Sequence, residues 1–127
     1  MIAVLHFRPT EGPVSFQERG HAALDALAAR PGFVRGSLGR ATDDEDAWIM
    51  VTEWESVGAY RRALGGYEVK LIATPLMAQA VDQPSAFESL ISIGSDGASV
   101  IRSTDRATDA DWGGRGPSTR EREEGTW

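Results

Sequence analysis

From residue 2 to residue 93 the apolar side chains change spacing in a fixed order: alternating, helical, alternating, alternating, helical, alternating. Alternation puts every second side chain on one face of a strand, whereas a 3.6-residue period lays a stripe along one side of a helix. The order therefore predicts β-α-β-β-α-β, in which the helices return the chain so that the strands can pair in one sheet.

Each segment carries its own start or stop. The run from Ile2 to Phe7 is closed by Pro9 and Gly12, and reads as a strand. Ser15 and Glu18 have the spacing of a capping box, with Phe16, Gly20, Ala23, Leu24 and Leu27 on one helical face behind them. Pro31 and Gly32 end that helix. Residues 33–41 alternate loosely, with Val34 and Leu38 on one side and Arg35 and Ser37 on the other. The acidic residues 43–46 read as a solvated hairpin turn, because the Gly and the closing Glu of a calcium loop are missing.

WIMVTEWE, residues 48–55, is β-branched and aromatic and gives the strongest strand signal in the chain. Ser56 is placed to cap a short helix carrying Val57, Tyr60 and Leu64, which Gly65 and Gly66 end. Val69, Ile72, Ala73, Leu76, Met77 and Ala80 form the next helical stripe, and Pro75 is expected to kink or split it. Pro84 introduces a last strand over 86–93.

The composition changes at residue 94. Residues 94–127 are rich in Gly, Ser, Thr, Asp and Arg and hold 5 basic against 7 acidic side chains, so they form neither a basic nor an acidic arm. Only Val100 and Ile101 could join a core, and a segment with so little to bury does not offset its ordering entropy. The expectation is one domain over 1–93 and a disordered tail over 94–127, in which Trp112 is the one candidate for docking a partner.

The predicted order is that of the ferredoxin-like α+β fold, an antiparallel sheet with helices on one face. Its first strand has Leu5 and Phe7 on one side but Ile2 and Val4 on the other, so both faces need cover. In a chain of 127 residues the simplest second cover is the sheet of an identical subunit, which predicts a homodimer.

Several classes of function drop out. Without Cys there is no disulfide framework, thiolate metal site or cysteine nucleophile. A net charge of −6 disfavours nucleic acid as a partner. No apolar stretch is long enough to span a membrane, and MIAVLHFRPT lacks the features of a signal peptide, so a cytoplasmic location is expected. Dinucleotide, P-loop, zinc-protease and serine-hydrolase motifs are missing, and neither a nucleotide, a flavin nor a metal is expected as cofactor.

Two passages resemble the antibiotic biosynthesis monooxygenase family, a branch of the dimeric α+β barrels. One is VTEWESVGAYRRALGGYEVK, residues 51–70, a strand ending in an aromatic and an acid, then Ser, then a short helix bearing an aromatic. The other is PGFVRGSLGR, residues 31–40, since family members commonly enter the second strand through Pro-Gly-Phe. The resemblance covers residues 1–93 and implies a dimeric barrel. It also implies cofactor-independent monooxygenation of a polycyclic aromatic or quinol-like molecule, in which a deprotonated, electron-rich substrate reduces O₂ directly. Family enzymes use Asn, Trp, Tyr, Arg and His for this, and the chain holds no Asn. The haem-degrading branch does not fit, because Ala63 and Ala73 stand where its Trp and iron-binding His belong, and His6 or Phe7 where its Asn belongs.

On that reading His6 is the candidate base, Tyr60 and Tyr67 are candidate donors to a substrate oxygen, and Trp54 is a stacking surface. Arg40 is placed either for an anionic substrate or for the 43–46 turn, and His21 is expected to pair with Asp25 on the helix surface. The competing expectation is a non-catalytic dimer of the same fold that binds a small ligand or serves as a structural partner.

Overall fold

The computed structural model describes residues 1–102. These residues belong to two compact units, Met1–Phe87 and a second that begins at Glu88.

In the first unit, β1 (Ile2–Phe7), α1 (Pro13–Ala28), β2 (Phe33–Arg40), β3 (Trp48–Trp54), α2 (Val57–Leu64), α3 (Thr74–Met77) and β4 (Ala86–Phe87) follow in that order. The sheet runs β2-β3-β1-β4 and each neighbouring pair is antiparallel. This is the ferredoxin-like α+β order that the spacing predicts. Among the described residues no helix is long and apolar enough to cross a membrane.

Strand alternation sorts the two faces. Ala3, Leu5 and Phe7 of β1 are buried together with Trp48, Met50, Thr52 and Trp54 of β3, under the helices. Ile2, Val4, Ile49 and Val51 are half-buried on the opposite face, and His6 is exposed there. Helix α1 contributes Phe16, Ala23, Ala26 and Leu27 to the covered side, while Val69, Ala73 and Leu76 close it from the other direction.

Rings gather at both ends of that side. Phe16 lies 5.3 Å from Phe7 and 5.1 Å from Trp48, centroid to centroid. At the far end Trp54 lies 5.3 Å from Phe33 and 5.5 Å from Tyr60. Tilted and edge-on contacts of this kind add to the stabilisation from burial alone.

Local details differ from the sequence expectations in four places. Helix α1 begins one turn earlier than the Ser15–Glu18 spacing suggests. Its N-cap is Gly12 with Pro13 in the first turn, and the Ser15 hydroxyl donates to Glu11 instead of capping. A bulge between Phe33 and Arg35 leaves Val34 exposed, so it does not share Leu38's covered face. The second helical stretch is not broken at Pro75: Val69–Ala73 form a π-helical turn that runs straight into α3, which carries Pro75 in its first turn.

The fourth difference is the last strand. It does not run through 86–93. Only Ala86–Phe87 join the sheet as β4, and β5 (Ile91–Ile93) pairs with β6 (Ser99–Ile101) in a separate antiparallel hairpin of the second unit. Val100 and Ile101, expected in a tail that starts at 94, therefore have a strand partner. Trp112 and the rest of the expected tail lie outside the described residues.

Candidate functional site

Helix α1 does not lie parallel-flush on β2. It runs antiparallel to that strand, with Leu24 level with Gly36, Gly20 level with Leu38, and Phe16 over Trp48, which pairs with Arg40. The closest approach is at Gly20. A Cβ placed there would lie 2.6 Å from a Leu38 methyl, so glycine lets Leu38 seat against the helix backbone without turning its end aside. Toward the start of α1 the two elements part and leave an open groove of about 540 Å³. That volume is within the usual range of small-molecule sites.

One wall of the groove is Val14, Gln17, His21 and Leu24 of α1, and the other is Leu38, Gly39 and Arg40 of β2 with Trp48 beneath. The Arg40 guanidinium carbon lies 5.1 Å from the centre of the Trp48 ring, a cation–π arrangement. Arg40 makes no ion pair with the 43–46 turn, where Arg8 donates to Asp44 at 2.7 Å. That bond holds the exposed Asp44 carboxyl below its ordinary range, first through the hydrogen bond from Arg8. His21 Nε2 is 3.6 Å from Asp25 Oδ2, and both side chains are about three-quarters exposed, so the expected surface pair is present but loose.

The residues nominated from the sequence do not converge. Trp54 is 2% exposed, donates its ring N–H to the Thr52 hydroxyl at 2.8 Å and is packed between Phe33 and Tyr60. Tyr60 is buried beside it, and burial pushes its hydroxyl pKa up, which keeps it protonated at neutral pH. Trp54 and Tyr60 are thus together, but as core packing at the end of the sheet away from Arg40. His6 is on the other face of the sheet. Tyr67 is 77% exposed. Of the five, only Arg40 lines the groove.

Of the groove residues on α1, Val14 and Gln17 lie beside the core stripe Phe16–Gly20–Ala23–Leu27 and are not singled out by it, and His21 is read from the sequence only as Asp25's partner. The signal was present: 14, 17, 21 and 24 are spaced by three, four and three, which makes a second stripe beside the first. Among the described residues no group of three His, Asp or Glu side chains is placed to hold a metal ion.

Residues 2–73, more than half of the chain, match the family described as antibiotic biosynthesis monooxygenase. Among solved structures the chain is similar to SnoaB, a cofactor-independent oxygenase from Streptomyces nogalater. The identity is 27% and the TM-score 0.58, over 70% of this chain and 94% of SnoaB. A SnoaB variant gives 29% identity and a TM-score of 0.57, over 63% of this chain and 82% of that one. A conserved protein from Methanosarcina mazei Go1 shares the fold at 15% identity and a TM-score of 0.55, over 67% of this chain and 84% of that one. No curated protein sequence matches.

Proposed function

The chain belongs to the antibiotic biosynthesis monooxygenase family, and from that premise we propose that it is a cofactor-independent monooxygenase of a polycyclic aromatic or quinol-like molecule. The observation that carries the reading is the likeness to SnoaB, itself a cofactor-independent oxygenase, at more than a quarter of aligned positions. The groove between α1 and β2 supports it by supplying an apolar wall, an indole, an amide and an imidazole in one place.

In this scheme His21, which lines the groove, takes the acid–base role for which His6 was nominated. The imidazole accepts the substrate's acidic proton. The resulting anion passes one electron to O₂, the radical pair forms a C–O bond, and loss of water from the hydroperoxide leaves a carbonyl. The balance is one CH₂ and one O₂ in, one C=O and one H₂O out. Gln17 and Arg40 are the donors for charge that develops on oxygen. Tyr60, protonated and packed against Trp54, supports the sheet from which β2 presents Arg40.

The half-buried face of Ile2, Val4, Ile49 and Val51 is proposed as the contact with a second copy. Val51→Lys should shift the protein to monomer in light scattering, and a dimer unaffected by that charge would place the contact elsewhere.

Oxygen uptake without added metal or flavin, on anthrone-like and dihydroxynaphthalene substrates, tests the function. Uptake above the protein-free rate that His21→Gln abolishes and His6→Gln leaves intact supports the scheme. Abolition by His6→Gln alone would move the base to the opposite sheet face. A second reading, a non-catalytic ligand-binding dimer, draws on one observation: the His21 side chain is 74% exposed, so the groove does not exclude water.

A further inference from the structure

Tyr67 takes no part in the groove or the core, yet it stands 77% exposed on a helix. Residues 67–77 form one continuous helical run, through the π-helical turn into α3. Val69, Ala73 and Leu76 bury one side of that run. On the other side Leu71, 60% exposed, follows Tyr67 by one turn, about 6 Å along the axis, and exposed Pro75 follows by one more. Single exposed apolar side chains are ordinary, but three in register make an uncovered ridge.

The ridge is framed by cations. Lys70 is exposed on the same side as Tyr67 and Leu71. Arg61 and Arg62 are exposed on α2, just before the Gly65–Gly66 turn that leads into the run. Arg30, beyond the end of α1, lies across Gly66. Its guanidinium carbon is 3.1 Å from the place a Cβ there would occupy, and its buried Nε has no hydrogen-bond partner. Arg8, Arg19 and Arg35 are each held by a carboxylate, but among the described residues none of these four cations is in an ion pair. Residues 57–77 hold three basic side chains against one acid, Glu68, in a chain whose totals are 13 against 19.

We propose that this face docks an acidic amphipathic helix of another protein. The partner's apolar positions straddle the Tyr67–Leu71 ridge, as the i, i+4 ridges of packed helices do. Its flanking Asp or Glu side chains pair with Arg61, Arg62 and Lys70. A discrete helix fits better than an anionic bilayer, because a helix meets only the local positive charge, whereas an extended surface meets the net charge of −6. The proposal is independent of the groove and of any O₂ chemistry, since none of these residues lines the groove.

Binding of the full chain to a labelled model helix, read by fluorescence anisotropy, tests it. The probe is an acetylated and amidated peptide of about 20 residues built from Glu, Ala and one stripe of Leu, long enough to be helical. Its counterpart carries Lys for every Glu. The Glu peptide should bind about tenfold or more tighter than the Lys peptide, the sum of several weak exposed pairs. That preference should shrink as salt rises from about 0.05 M to about 0.5 M. Arg61→Glu with Arg62→Glu should erase it, and Tyr67→Ser with Leu71→Ser should lower Glu-peptide affinity about tenfold. Val34→Ser, which removes an exposed apolar side chain from β2, should change neither. All five positions are exposed, so the variants should keep the wild-type circular dichroism and melting temperature. If the double reversal fails to fold, Lys70→Glu gives the same charge test.

Equal affinity for the two peptides, a preference that survives the charge reversals, or no binding by folded protein at about 1 mM peptide would each overturn the proposal. Tighter binding to vesicles of phosphatidylcholine and phosphatidylserine than to the Glu peptide would overturn it in favour of a membrane. Low-salt self-association that the Arg61 and Arg62 reversals abolish would overturn it in favour of the acidic 43–46 turn of a second copy.

Discussion

Replacing Gly32 with alanine should cost this small domain a large part of its stability. Gly32 joins α1 to β2 with φ of +90°, a backbone region that L-residues adopt at a cost of about 1–2 kcal/mol. An added Cβ would also lie 2.5 Å from the Cβ of Ala59 on α2. Neither methyl can rotate away, so the backbones must part, and overpacking of that kind costs about 1–3 kcal/mol. The sum is about 2–5 kcal/mol, against a total stability of about 5–15 kcal/mol for a typical domain. Ala59→Gly alone should cost about 2 kcal/mol, from a lost buried methyl and a glycine inside a helix.

If the clash is real, the double variant should cost about 1–3 kcal/mol less than the two singles added, because removing the Ala59 methyl relieves the overlap but leaves the φ strain. Urea unfolding followed by tryptophan fluorescence on the four proteins measures the cycle. A Gly32→Ala cost below about 1 kcal/mol, or strict additivity in the double variant, would refute the reasoning.

Three further substitutions probe the same side of the sheet. Thr52→Val keeps the shape of a 3% exposed side chain but orphans the Trp54 ring N–H, and should cost about 1–3 kcal/mol in the same assay. Ser56→Ala removes the side-chain acceptor of the Ala59 amide at the start of α2 and should cost about 1 kcal/mol, with Ser56→Asp restoring most of it. Burial raises the Tyr60 pKa above its ordinary value of about 10, so the unfolded chain releases this proton first. Stability should then hold up to about pH 10 and fall as the pH rises further. Tyr60→Phe should flatten that alkaline fall in melting curves, and an identical fall in both proteins would remove Tyr60 as its cause.

The parts of the fold legible in the sequence are those set by local rules. Alternation identified β1 and β3, Pro31 and Gly32 marked the end of α1, and the Ser56 cap is present as the spacing implies. The Ser15 cap failed because Pro13, which needs no amide partner, starts the helix first and leaves Ser15 free to bond Glu11. The bulge at Val34 was illegible because a single inserted residue leaves hydrophobicity unchanged while reversing which side chains face the core.

The strand over 86–93 was overextended for a related reason. Its apolar letters suit pairing with β1 or with residues 99–101 equally well, and only the three-dimensional register decides. At the site, residue chemistry pointed to Trp54 and Tyr60, but whether a ring lines a cavity or fills it depends on neighbours far away in sequence. Arg40 is open to two partners in the sequence, and its place over the Trp48 ring is set by the strand pairing that puts residue 40 opposite residue 48.

The seating of Leu38 on Gly20 has a consequence for how this protein can diverge. Because a Cβ at position 20 would lie 2.6 Å from a Leu38 methyl, any side chain there obliges the end of Leu38 to turn aside, and the two positions are coupled. A lineage that enlarges residue 20 gains by shrinking or re-turning residue 38, so substitutions at the pair should tend to be inherited together. Descendants that carry a larger residue 20 beside an unchanged leucine should show the first helix and the second strand moved apart.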